Sequence, residues 1–132
     1  VISTLDVAPQ LFLRLVVREA GTRYDFVMRY RFVEKDIAVL DAAGAFVVEA
    51  TGVDIPYGRN RWSFWKLVVD TAKKEYVKVK VNRNVYDLAG EKPYSVAEAG
   101  PDEFIPHWGM WNSNIERAYI YFSGVFVTIN EE

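Results

Sequence analysis

The sequence predicts an all-β protein, a two-sheet antiparallel β-sandwich built as a single domain over residues 1–132. Three observations lead there. The aliphatic residues are dominated by β-branched types, with 19 Val and 7 Ile against 7 Leu, and aromatics reach 15%. Such side chains suit a pleated, half-buried surface, whereas amphipathic helices lean on Leu and Ala. Several segments alternate apolar and polar residues with period two, and turn formers separate them at hairpin spacing.

In order along the chain, residues 11–18 (LFLRLVVR) set Leu11, Leu13, Leu15 and Val17 on one face and Arg14 and Arg18 on the other. Residues 24–34 group Tyr24, Phe26, Met28, Tyr30 and Phe32 against Asp25, Arg29 and Arg31. A helix would smear both sets around its surface, so each reads as a strand. Short apolar runs at 36–40 and 45–50 flank Asp41-Ala42-Ala43-Gly44 and predict a hairpin. Residues 51–61 read as a loop. Residues 62–70 form a strand with Trp62 and Phe64 on one face and Trp65 on the other. TAKK at 71–74 turns the chain into 75–81, where Val77, Val79 and Val81 alternate with Lys78 and Lys80 in the manner of a strand with one wet face. Asn82-Arg83-Asn84 turns again into 85–88. Residues 89–115, punctuated by three Pro and three Gly, read as a long connection that is either functional or hides a short element. Residues 116–129 close the fold as a strand or strand pair with a bulge or bend at Gly124.

Composition removes several functions. Sixteen basic against eighteen acidic residues give a formal charge of −2, unlike the basic excess of a nucleic-acid binder. The absence of Cys excludes disulfides and thiolate metal sites, and the single His107 excludes a multi-His centre. No apolar run approaches the ~18 residues of a spanning helix. Asp54, Asp70, Asp87 and Asp102 offer hard oxygen ligands but form no calcium-loop motif. Neither a metal nor a cofactor is expected.

Residues 62–88 are similar to the central hairpins of concanavalin A-like (laminin G-like) jelly rolls. The matching phrase is a Trp opening a strand, then Lys66-Leu67-Val68-Val69-Asp70, a short turn, Tyr76, an alternating strand ending at Asn82, and Tyr86-Asp87-Leu88. The closing run Ala118 to Thr128 resembles the last strand of such domains, with Ser123-Gly124 where an acidic residue is often found. The resemblance implies a jelly-roll sandwich of the lectin-like kind. Domains of that type run longer than 132 residues, which implies a fragment of a longer chain or a minimal version. The acidic signature of the superfamily's glycoside hydrolases, two Glu flanking an Asp on alternate positions of one strand, is absent.

The chemistry-bearing segment is 104–114, FIPHWGMWNSN. Trp108 and Trp111 offer indole surfaces to the apolar face of a sugar ring, and His107, Asn112 and Asn114 offer polar contacts to its hydroxyls. The bland alternative is that both Trp plug one end of the sandwich. Tyr57 and Arg59, in the loop 57–62, form a second cluster able to stack and to grip an anion, with a solvated connection as its alternative. Lys73, Lys74, Lys78 and Lys80 make a basic hairpin that Arg29 and Arg31 would extend if they line the same sheet; edge protection is the competing role. The expectation is a non-catalytic recognition domain for a carbohydrate. Its rivals are a structural module that binds another protein or its own copy, and a glycan-cleaving enzyme needing two carboxylates about 5–10 Å apart.

Overall fold

The computed structural model describes residues 10–55 and 63–111. Among these residues the protein is all-β, with nine strands in two antiparallel sheets. They are β1 (Gln10–Glu19), β2 (Thr22–Arg31), β3 (Asp36–Leu40), β4 (Phe46–Ala50), β5 (Trp65–Asp70), β6 (Glu75–Val81), β7 (Asn84–Asp87), β8 (Tyr94–Ala97) and β9 (Glu103–Trp111). The larger sheet runs β4-β3-β2-β1-β9, with β8 also pairing β2; the smaller runs β5-β6-β7. Consecutive strands pair as hairpins through β1–β4 and through β5–β7.

Each turn follows from its residues. Ala20 and Gly21 both take positive φ, 50° and 78°, so two residues suffice to reverse β1 into β2 with the twist that paired strands prefer. The Asp41 carboxylate accepts from the amides of Ala43 and Ala45 at 2.9 Å each, and Gly44 supplies φ 81°. Asp70 accepts from Ala72 and Lys73, which shapes the expected 71–74 turn and holds its own carboxyl below the ordinary carboxylate range.

The core lies between the sheets. Phe26, Met28, Tyr30, Ile37 and Val39 from the larger sheet meet Tyr76, Val79 and Val81 from the smaller, with Val53 and Leu88 closing the margins. Phe26 and Tyr76 pack edge to face at 5.3 Å between ring centroids, and Tyr30 meets Trp65 at 5.2 Å. Interdigitated rings of this kind add to plain area burial. Tyr76 does more. Its hydroxyl crosses to the larger sheet, accepts from Val27 N–H at 2.8 Å and donates to Leu40 C=O at 2.7 Å. There the free side of β2 passes from β3, which pairs Met28–Arg31, to β8, which pairs Thr22–Asp25. The phenol fills the break between the two partners.

Three expectations need correction. Strand β5 starts at Trp65, and Phe64 precedes it, exposed. The strict alternation of 75–81 is broken, because Lys78 pairs with Val68 while Tyr76 pairs with Val69, leaving Val77 as the extra residue of a bulge. A bulge shifts side-chain parity, so Tyr76, rather than Val77, joins Val79 and Val81 in the core. The segment 89–115 contains two strands, β8 and β9, so His107, Trp108 and Trp111 stand on a strand instead of a loop. Pro106 is accommodated because β9 ends the order of described strands, where a missing N–H need not interrupt a central ladder. The expected closing strand, 116–129, lies outside the described residues, as does Trp62.

Candidate functional site

Pleat parity and register decide which side chains share the outer face of the larger sheet. Row by row from β9 through β1 and β2 to β3, the aligned positions are Gly109, Phe12, Arg29 and Ala38, then His107, Arg14 and Val27, where the β3 pairing has ended and Leu40 follows at the parity of Ala38. A third row aligns Ile105, Val16, Asp25 and, on β8, Tyr94. Phe46 stands beyond Leu40 on β4. Between these rows lies an open concavity of about 450 Å³, lined by Phe12, Arg14, Asp25, Val27, Arg29, Leu40 and Phe46 together with Gln10. A second, of about 390 Å³, adjoins it through Asp25 and Leu40 and is walled by Gly44 and Tyr94. Both are open depressions of the sheet face rather than enclosed cavities.

Small residues shape the walls. A Cβ at Gly109 would stand 2.9 Å from Phe12 Cζ, so only Gly leaves the ring room to lie over β9. Ala38, one strand the other way from Arg29, leaves space for the guanidinium to reach Phe46, whose ring centroid is 4.1 Å from Arg29 Cζ. That is cation–π distance.

The charges on this face form a linked chain. Glu103 and Glu98 grip Arg18, Glu98 also reaches Arg23 at 3.3 Å, Arg23 reaches Asp25, and Asp25 meets Arg14 at 3.2 Å. The Arg18 and Arg23 guanidiniums hold the Glu98 carboxyl below its ordinary pKa. Arg31 pairs with Asp36 and Glu34. Arg29 is the exception. Among the described residues no carboxylate lies within ion-pair distance of it, and its Nε is buried without a hydrogen-bond partner. Burial first, and neighbouring Arg31 second, push its pKa down from the ordinary value. Asp25 is also incompletely satisfied. It is only 6% exposed, and its Oδ1, 3.2 Å from Arg23 Nε, still lacks a hydrogen-bond donor.

A second titratable group sits elsewhere. Glu49 carries a buried Oε1, and desolvation followed by the proximity of Glu91 and Asp87 raises its carboxyl above the ordinary value of 4.5. Among the described residues no group of three His, Asp or Glu is placed to hold a metal ion.

The expected site residues divide as follows. His107 is exposed, opposite Arg14 across the β1–β9 ladder and one strand from the concavity. Trp108 is 40% exposed and pairs with Leu13, which places it on the core-side parity, away from His107. Trp111 pairs with Gln10, so positions 108 and 111 have opposite parity on one strand. Tyr57, Arg59, Asn112 and Asn114 lie outside the described residues. Arg29 and Arg31 belong to the larger sheet and Lys78 and Lys80 to the smaller, so the anticipated single basic surface is two. Sequence reasoning missed Phe12, Asp25 and Phe46 as lining residues. Asp25 and Arg29 carried a signal, as charges on the face opposite the apolar set of β2.

Comparisons with protein-family models, with curated proteins and with solved structures gave no match.

Proposed function

We propose that this domain is a non-catalytic recognition module that binds a carbohydrate on the outer face of its larger sheet, within the concavity between Phe12 and Phe46. One observation carries the reading. Asp25 Oδ1 is a buried acceptor whose nearest donor, Arg23 Nε at 3.2 Å, is not aligned for a hydrogen bond, and it is set between an aromatic wall and the fixed Arg14 guanidinium. A buried polar atom left without its partner costs about 1–3 kcal/mol, and a hydroxyl-bearing ligand with an apolar ring face would supply the donor while covering the rings. Arg14 and Arg23 engage the same carboxylate, which commits Asp25 to holding an array rather than to acid–base chemistry. Glycoside hydrolysis needs two carboxylates across one cleft, and Asp25 is the one carboxylate among the described lining residues. The lectin-like resemblance of residues 62–88 belongs to this proposal and is consistent with it.

Glycan-array screening followed by titration of Phe46→Ala tests the reading. Phe46 is 39% exposed, so its truncation leaves the core intact. Binding of an identified sugar weakened at least tenfold supports the site. Unchanged affinity in Phe46→Ala with loss in Trp111→Ala would move the site to β9 and beyond. A chain that binds no sugar yet elutes as a dimer with light-scattering confirmation would replace the proposal with the self-association reading.

A further inference from the structure

We infer that the ligand of this concavity is an acidic saccharide, whose ring carboxylate is bound by Arg29 while a ring hydroxyl donates to Asp25 Oδ1. The inference rests on the carbohydrate reading above and adds to it the charge of the ligand. Five arginines stand on the outer face of β1 and β2, at positions 14, 18, 23, 29 and 31. Four have carboxylate partners within the sheet or its adjoining loops. Arg29 has Phe46.

A partly desolvated guanidinium with no counter-ion among the described residues is a net cost to the part of the fold they form. Three things keep it in place. The Arg29 side chain is supported from below by the Phe46 ring. Phe12, opposite Arg29 on β1, closes the other flank. Arg31, the nearest cation on the same strand, is spoken for by Asp36 and Glu34. What this arrangement presents is a planar fork of donors with its stacking face already occupied, the geometry that grips a carboxylate through two parallel hydrogen bonds. Asp25 excludes a simple anion patch. A bare carboxylate entering the concavity meets attraction at Arg29 and Arg14 but repulsion at Asp25, and it brings no donor for Oδ1. A ligand with a carboxylate at one end and hydroxyls at the other satisfies both groups at once. A uronic acid has that pattern, with C–H faces for Phe12 and Phe46.

The test is calorimetric titration of the full chain at low ionic strength with three probes: a galacturonic acid oligomer, the corresponding neutral galactose oligomer, and propionate. The inference expects measurable binding of the galacturonate, with the neutral oligomer and propionate each at least tenfold weaker. In Arg29→Met the galacturonate should lose at least tenfold and the preference over galactose should vanish, while Arg29→Lys should recover part of the preference because charge returns without the fork. Removal of an uncompensated charge keeps Arg29→Met folded, with a melting temperature equal to or above that of the parent. Equal binding of galactose and galacturonate would sink the inference and leave the carbohydrate reading standing. Propionate as tight as galacturonate would sink the carbohydrate reading and keep Arg29 as an anion site. Galacturonate preference retained in Arg29→Met would remove Arg29 from the site.

Discussion

Replacing Tyr76 by Phe removes one oxygen from the centre of the molecule and should be among its most damaging conservative changes. The hydroxyl accepts from Val27 N–H and donates to Leu40 C=O, and the side chain is fully buried. Burial also pushes the phenol well above its ordinary pKa, with the Val27 amide opposing that shift. Phe fits the same space and keeps the edge-to-face contact with Phe26, so the change isolates the hydrogen bonds from the packing. Both backbone groups then lose their partner at the break between β3 and β8, where no strand covers them. A fully buried group left unsatisfied costs about 1–3 kcal/mol; these two are only partly buried, so together they fall toward the lower end, at roughly 2–4 kcal/mol. With a urea slope of about 1.5 kcal/mol/M the midpoint should fall by roughly 1.3–2.7 M. The assay is urea denaturation followed by tryptophan fluorescence, with Tyr86→Phe as the comparison, since the Tyr86 hydroxyl has no protein partner among the described residues. If Tyr76→Phe shifts the midpoint no more than Tyr86→Phe, the phenol is not what closes the break and the account of that seam is wrong.

Tyr30→Phe frees the Val53 carbonyl, which accepts from the Tyr30 hydroxyl at 2.5 Å; one unsatisfied acceptor predicts a smaller loss in the same assay, about 1–3 kcal/mol. Gly109→Ala forces the Phe12 ring off β9 and into the concavity; thermal melting should show a modest loss of about 1 kcal/mol, while titration with the galacturonic acid oligomer should show the larger effect. Stability against pH should separate Glu49 from Glu98. A carboxyl whose pKa is raised by folding stabilises below its ordinary value and loses that contribution as pH rises through the raised one, so Glu49→Gln should gain on the parent between pH 4.5 and neutrality. Glu98 is lowered, so its contribution is present above its ordinary value and is lost as pH falls through the lowered one. Glu98→Gln should therefore trail the parent near neutrality and converge with it in acid.

The strands visible in the sequence are those with one dry and one wet face. β1 and β2 announce themselves because Leu11, Leu13, Leu15 and Val17, and Phe26, Met28 and Tyr30, keep one parity while Arg14, Arg18, Asp25, Arg29 and Arg31 keep the other, and the turns at Asp41 and Asp70 follow from side chains that bond their own backbone. β9 stayed hidden because Phe104 to Trp111 is apolar at both parities and carries Pro106 and Gly109, residues that punctuate loops far more often than strands. The Val77 bulge was unreadable because Val77 and Tyr76 are both good core residues, and only pairing with Val68 and Val69 decides between them. The site was legible only as a list of charges. Asp25 looks like a wet-face residue until register brings Arg14 and Arg23 beside it, and Phe46 gains its role from Arg29, two strands away in the sheet and 17 positions earlier in the chain.

The ladder Glu103–Arg18–Glu98–Arg23–Asp25–Arg14 has as many positive as negative members. Seen from several ångströms off, such a string is nearly silent, because its alternating signs cancel faster than solution ions could screen them over the ~8–10 Å Debye length of physiological salt. Among the described residues, the potential above this sheet is then set by Arg29, the cation left out of the sequence of pairs. A diffusing anion meets a single positive spot rather than a broad basic patch, which favours orientation of one acidic group over indiscriminate capture of polyanions.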